Sequence, residues 1–161
     1  MTCEMCEAAP RIDAGDDPWA VARLTTGRVG LCRTQYFRGY TFFVAKQCVA
    51  ELHELDDTAR AEHLHDMAEV AHAVFRAFSP RKLNYEALGN GVAHLHWHLI
   101  PRHSTDPFPR GPAWEDHSFL RQFWNGGDDV PIGDAERDTR RVALLRELER
   151  ADVEIEAAFV R

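Results

Sequence analysis

The sequence predicts an antiparallel α+β fold built as a single domain of 161 residues. Short β-rich runs follow one another before any helix. One long helical pattern then interrupts them, and two further strand-like runs joined by a glycine-rich turn come after it. A chain that runs β-β-β-α-β-β and ends in a helical tail packs a helix on an antiparallel sheet; a doubly wound sheet would alternate strand and helix. The expected sheet has about five strands with the main helix packed on it.

Each element has its own signal. Residues 1–18 are small, acidic and turn-rich, and read as a loop carrying Cys3 and Cys6. Trp19–Leu24 alternates apolar and polar residues, Thr26-Gly27 makes a turn, and Arg28–Cys32 returns as a second strand. Gly39 precedes Tyr40–Lys46, "YTFFVAK", whose β-rich composition suits a buried central strand. Asp57 reads as a helix N-cap. Beyond it Leu64, Met67, Ala71, Val74, Phe75 and Phe78 recur at helical spacing with charged residues between them. Ser79-Pro80 ends that helix, because proline disfavours the helical conformation of the residue before it.

Lys82–Leu88 and Ala93–Arg102 are the next strands, joined by a tight turn at Gly89–Gly91. The stretch "STDPFPRGPAWED" is proline-rich and irregular. Helical character returns near Asp134, with Val142, Leu145 and Leu148 apolar and a Glu136–Arg140 pair on the polar side. The expected domain therefore has a core at residues 3–114 and a mostly helical extension at 115–161.

Composition narrows the function classes. Hydrophobic residues make up 45% and charged residues 28% of the chain, as in a globular protein. No apolar run approaches the roughly 18 residues of a membrane helix. The start "MTCEMCEAAP" lacks the basic and apolar segments of a signal peptide, so a cytoplasmic location without membrane partners is expected. A net charge of -7 disfavours binding to a nucleic-acid backbone, but a few local donors can still hold a small phosphorylated ligand. Four cysteines are too few for a disulfide framework at this length. A Cys-x-x-Cys pair in a reducing compartment points to metal or redox chemistry.

The most informative stretch is "GVAHLHWHLIPRH", Gly91 to His103. On a strand, residues i, i+2 and i+4 share a face. His94, His96 and His98 are therefore expected to project together, with Leu95, Trp97 and Leu99 turned to a core. Two chemistries suit such a row. Neutral imidazoles bind zinc, copper or iron. A neutral imidazole also attacks phosphorus, giving a phosphoramidate that water later cleaves.

The stretch "HLHWHLI" resembles His-φ-His-φ-His-φ-φ, the signature of the histidine triad (HIT) superfamily. With "KLNYEALGNGVA" before it and "PRH" after it, the chain is similar to a bacterial branch of diadenosine-polyphosphate-type hydrolases. The likeness extends over residues 3–114. It implies that His96 is the nucleophile on the α-phosphate of a nucleotide, and that His98 contacts the phosphate oxygens and helps the leaving group depart. His94 supports the site or binds structural zinc. By the same resemblance Asn84, Asn90 and Gly91 contact the substrate, and a homodimer with joined sheets is expected.

Two positions depart from the family pattern. Gly91 stands where many members carry Ser or Thr, and Tyr40 follows Gly39 where many carry His. No acidic or Asn residue to grip a ribose is evident in "GLCRTQYFRG".

Zinc-containing members combine an N-terminal Cys-x-x-Cys, a His after the central strand and the first His of the triad. Aligning "VAKQCVAELHEL" puts Cys48 at the middle position. The resemblance thus implies a structural zinc held by Cys3, Cys6, Cys48 and His94, with His53 as the fallback ligand. The function it implies is a hydrolase or nucleotidyl transferase for dinucleoside polyphosphates or nucleoside phosphoramidates, working through a nucleotidyl-histidine. The alternatives are a nucleotide-binding or signalling module with little turnover, and a metal enzyme using all three histidines. Trp114 and Phe108 either cover a base or form a structural loop, and Arg102 either adds positive potential near a polyphosphate or is a solvated strand end.

Overall fold

The computed structural model describes residues 3–124 and 132–160. In chain order the elements are α1 (Glu4–Asp13), β1 (Ala20–Leu24), β2 (Gly27–Leu31), β3 (Thr41–Ala45), α2 (Asp57–Phe78), β4 (Lys82–Glu86), β5 (His96–Arg102), α3 (His117–Trp124), α4 (Asp134–Leu148) and β6 (Ile155–Ala158). The strands form one sheet in the order β4-β5-β3-β2-β1-β6, with antiparallel neighbours throughout.

The two sheet faces do different work. Val29, Phe43, Leu83 and Leu99 turn to one side and meet Val70, Val74 and Phe78 of α2 and Leu144, Leu145 and Leu148 of α4. This is the main core. On the opposite face Tyr40, Phe37 and Ile100 pack against Ala113 and Phe119, with Phe42, Trp114 and Phe123 partly buried around them. The imidazoles of β5 belong to this second face.

Helix α2 begins one residue earlier than its sequence signal. Asp56 is the N-cap, and its carboxylate accepts from Ala59 N at 2.8 Å. It ends where the sequence indicates: Ser79 adopts the left-handed conformation and Pro80 follows.

Other elements correct the sequence reading. The segment expected to be a loop contains helix α1, with Glu4 and Glu7 in its first turn where the helix dipole favours acids. Pro10 inside it obscures the helical signal. No α1 residue is buried; one end is tied down by Asp13, which accepts from Arg28 at 2.8 and 2.7 Å. The tail expected to be helical ends in β6, which extends the sheet beside β1, so the sheet has six strands, one more than expected. The glycine turn is longer than expected, since β4 stops at Glu86 and β5 starts at His96.

Gly39 sets up the central strand. Its φ is +87°, and an added Cβ would lie 2.3 Å from the ring of Phe78, itself buried. Gly39→Ala therefore combines backbone strain with overpacking. The expected cost is about 2–4 kcal/mol, read as a lower urea midpoint at an unchanged slope.

Candidate functional site

The histidine row divides. Only His96 and His98 lie on β5; His94 sits in the bend before it. The expectation that all three project together as one strand face is corrected by this break. Leu95 donates to Val49 O at 2.7 Å and seats in a small cluster with Ala45 and Leu55, which draws the chain out of the β5 ladder.

His94 turns toward the cysteines. Its Nε2 lies 2.8 Å from the carbonyl of Ala45 and donates to it. A neutral ring then carries its lone pair on Nδ1. That atom faces Cys3 Sγ at 3.3 Å and Cys6 Sγ at 3.6 Å. The ligand atoms of Cys3, Cys6, Cys48 and His94 all lie within 4.8 Å of one another. This is the set the resemblance implies. His53 lies outside it, exposed on a short 3-10 turn at Leu52–Glu54.

The donors fit a divalent metal. Three sulfurs and one imidazole lone pair converge, as in a closed Cys₃His zinc site. The backbone N–H of Cys6 points at the Cys3 sulfur and brings that thiol down to about 7. Cys6, hydrogen-bonded to the Cys48 sulfur, is pushed up to about 12. A metal ion in this position would compete with those protons and favour the thiolates. Four protein ligands leave no open coordination position, so a bound ion would cross-link α1, the segment at Cys48 and the approach to β5.

His96 and His98 form a separate unit. Both are buried. His96 Nδ1 lies 2.6 Å from the carbonyl of His94, which can only accept. Its Nε2 faces His98 Nε2 at 3.1 Å. His98 Nδ1 lies 2.5 Å from the hydroxyl of Tyr40. Burial lowers the pKa of His96, and burial with the neighbouring His96 lowers His98 to about 3. Both rings are neutral at neutral pH.

The site has aromatic walls. Phe42, paired with His98 across β3 and β5, meets its ring edge-on at 4.9 Å. Trp114 meets His98 edge-on at 5.7 Å, and Phe123 of α3 lies 6.3 Å away. The Trp114 indole donates to Glu86, whose register partner on β5 is His98. Trp114 thus belongs to the imidazole surroundings. Helix α3 lies within the extension expected to be mostly helical, but its own bounds are obscured by the proline-rich run before "HSFLRQFW"; its strongly one-sided apolar pattern is the signal that marks them.

A cleft of about 320 Å³ opens beside this unit on the same sheet face. Gly30, Phe42 and Val44 contribute to its floor, and Ile12 of α1 and Phe123 of α3 to its sides. Arg28 and Asp17 also line it but are already paired, with Asp13 and with Arg11 and the Trp19 N–H.

The remaining sequence-designated residues are placed as follows. Asn84 pairs with Ile100 in the β4–β5 register and so shares the imidazole face. Asn90 and Gly91 lie exposed in the connection before His94, with open space where a Gly91 side chain would be. Arg102 is buried and donates to the carbonyls of Gly111 at 2.7 Å and Phe108 at 2.5 Å, and to Asp106 at 3.3 Å. It organises that loop and is not a free cation for a substrate. Trp97 faces away, donating to His63 at 3.1 Å.

The fold and site define a class: an open antiparallel sheet with its longest helix, α2, on one face and a pair of hydrogen-bonded imidazoles on the other. The family model described as the HIT domain matches residues 36–105, so the segment that carries the imidazole pair is similar to the HIT superfamily. The chain is similar to Protein hit of Bacillus subtilis, 30% identical over 91 residues, which cover 53% of this chain and 61% of that relative. Its fold is similar to a histidine triad protein from Sinorhizobium meliloti, with a TM-score of 0.67 at 23% identity, covering 86% of this chain and 93% of the other. A HIT family member from Bacillus subtilis aligns with a TM-score of 0.57 at 25% identity, covering 89% and 96%. Among the described residues no helix is long and apolar enough to cross a membrane.

The donor geometry sets an expected outcome. Elemental analysis of the purified chain should find about one zinc per chain. Cys3→Ser and Cys48→Ser should lower that content several-fold and reduce thermal stability, whereas His53→Ala should leave both unchanged.

Proposed function

We propose that this chain is a nucleotide hydrolase or nucleotidyl transferase that acts on the α-phosphate of a dinucleoside polyphosphate or nucleoside phosphoramidate. The observation that carries this reading is the tautomer of His96. Its Nδ1–H is held by the His94 carbonyl at 2.6 Å, so its lone pair is on Nε2, on the side of His98. Burial keeps that ring unprotonated and nucleophilic.

In the first step His96 Nε2 forms a bond to the α-phosphorus and the bond to the leaving group breaks. The ring becomes positive, and its Nδ1–H bond to the His94 carbonyl strengthens as it does so. The Nε2–H of His98 turns from His96 to the phosphoryl oxygens and stabilises their charge. In the second step water forms a bond to phosphorus and the P–N bond breaks. The electron pair returns to Nε2, one water proton goes to solvent, and the nucleoside monophosphate leaves.

The cleft over Gly30, Phe42 and Val44 is an apolar seat for the nucleoside base beside the nucleophile. Asn84 shares the imidazole face and is assigned to the phosphate or ribose; Asn90 and Gly91 are assigned to the phosphates through an amide and backbone N–H groups. Zinc at Cys3, Cys6, Cys48 and His94 is part of the proposal, as is a cytoplasmic location that keeps those thiols reduced. So is a homodimer, for which the outer edge of β4 offers unpaired backbone groups. Residues 3–160 act as one domain in this reading, because α4 and β6 complete the core and sheet of the matched segment.

A panel of dinucleoside polyphosphates and nucleoside phosphoramidates tests the reading. Wild-type protein should release nucleoside monophosphate and yield an acid-labile nucleotide adduct on His96. His96→Ala should lose at least about a thousandfold in kcat with an unchanged circular dichroism spectrum. Tight nucleotide binding without release would favour a signalling module, and wild-type rates in His96→Ala would overturn the mechanism.

A further inference from the structure

Tyr40 is fully buried, and its hydroxyl reaches His98 Nδ1 at 2.5 Å. Its ring is packed among Phe42, Phe119 and Phe123, at centroid distances of 5.3, 6.1 and 6.4 Å. The hydroxyl therefore stands at the closed end of a line of hydrogen bonds that runs through His98 and His96 to the His94 carbonyl.

That line has one consistent direction. The His94 carbonyl only accepts, so His96 carries its proton on Nδ1 and a lone pair on Nε2. His98 must then donate from its own Nε2 across the 3.1 Å contact. A neutral His98 has its lone pair on Nδ1, and that atom accepts from the Tyr40 O–H. Reversing any member would set two lone pairs or two protons against each other.

We infer that Tyr40 is the positioning residue that fixes the tautomer of His98, and that this fixed, neutral imidazole restricts the enzyme to leaving groups that depart as oxyanions. The inference rests on the proposed function and narrows its substrate class to nucleotides with a phosphoanhydride bond.

The reason is proton balance. A neutral imidazole that gave up its Nε2 proton would need a second proton at Nδ1 from Tyr40. Burial holds the phenol's pKa well above its usual value, so the phenol does not supply one. His98 itself titrates near 3, through burial and the adjacent His96, and so is not protonated beforehand. His98 can therefore donate a hydrogen bond but cannot deliver a proton.

A polyphosphate leaving group needs only that. When His96 Nε2 bonds to the α-phosphorus, the P–O bond breaks and its electron pair stays on a terminal phosphate, whose last ionisation lies at about 6. An alkylamine leaving group must gain a proton as the P–N bond breaks, because the conjugate acid of an amine ionises at about 10. The described structure offers no donor at His98 for that transfer.

The experiment compares one nucleoside carried on two leaving groups: diadenosine tetraphosphate and adenosine 5′-phosphoramidate of a primary alkylamine. Wild-type kcat/KM should favour the anhydride by at least about a hundredfold. Tyr40→Phe keeps the packing but removes the donor; kcat on the anhydride should fall about tenfold at a nearly constant KM. In ¹⁵N NMR, His98 should be the Nε2-protonated tautomer in wild type and a mixture in Tyr40→Phe. Tyr40→His, which restores a group able to pass a proton, should raise phosphoramidate turnover and narrow the gap.

Phosphoramidate turnover equal to or faster than anhydride turnover in wild type would overturn the substrate assignment. An unchanged His98 tautomer in Tyr40→Phe would overturn the role of Tyr40. If neither substrate is cleaved and no adduct forms on His96, the proposed function fails together with this inference. Anhydride cleavage that depends on His96 but not on Tyr40 removes this inference alone.

Discussion

The hydrogen bond from His96 Nδ1 to the carbonyl of His94 is the contact on which the site depends. It is 2.6 Å long and joins two residues only two positions apart. On a continuous strand that carbonyl would belong to the sheet ladder. Because the backbone leaves the ladder before His96, the carbonyl turns back to the imidazole instead. One backbone break thus separates the metal-type ligand from the proposed nucleophile and fixes the proton of the second. It also couples them: any displacement of His94 within the thiol cluster moves the group that orients His96.

Burial does the remaining electrostatic work. The protein is acidic, and two buried or half-buried cations on this side are engaged: Arg28 by Asp13, and Arg102 by Asp106 and two loop carbonyls; Arg33 lines the cleft from its exposed rim. The pair His96–His98 sits in an aromatic enclosure, and desolvation keeps both rings neutral. A neutral imidazole is the nucleophilic form, so the apolar walls are part of the chemistry as well as of the packing.

Much of this was legible in the sequence, for a physical reason. The strands around Val29, Phe43 and Leu99 and the helix containing Val70 and Val74 bury a single apolar face, and such faces leave a periodic trace. The alternating histidines did the same. Interactions that are not periodic left no trace. Helix α1 buries no residue fully, and the proline inside it masks its one-sided apolar pattern. β6 is four residues long and gains its strand identity from pairing with β1. The departure of His94 from the ladder is set by Leu95 seating under Val49 and Leu55, a contact between distant segments. The commitment of Arg102 to its own loop and the reach of Tyr40 to His98 likewise depend on three-dimensional register.

The sheet order carries a consequence for how the molecule assembles. β3 lies beside β5, although α2 and β4 separate them in the chain, and it is this pairing that sets Phe42 opposite His98. Neighbouring hairpins such as β1–β2 and β4–β5 close short loops, whereas β3–β5 must close a long one before its contacts repay the lost entropy. The imidazole pair, its tyrosine and its aromatic walls therefore come together only when the two halves of the sheet meet. Until that seam closes, a partly folded chain carries the histidines without the enclosure that keeps them neutral, so the environment of the imidazoles is assembled late, with the longest-range pairing of the sheet.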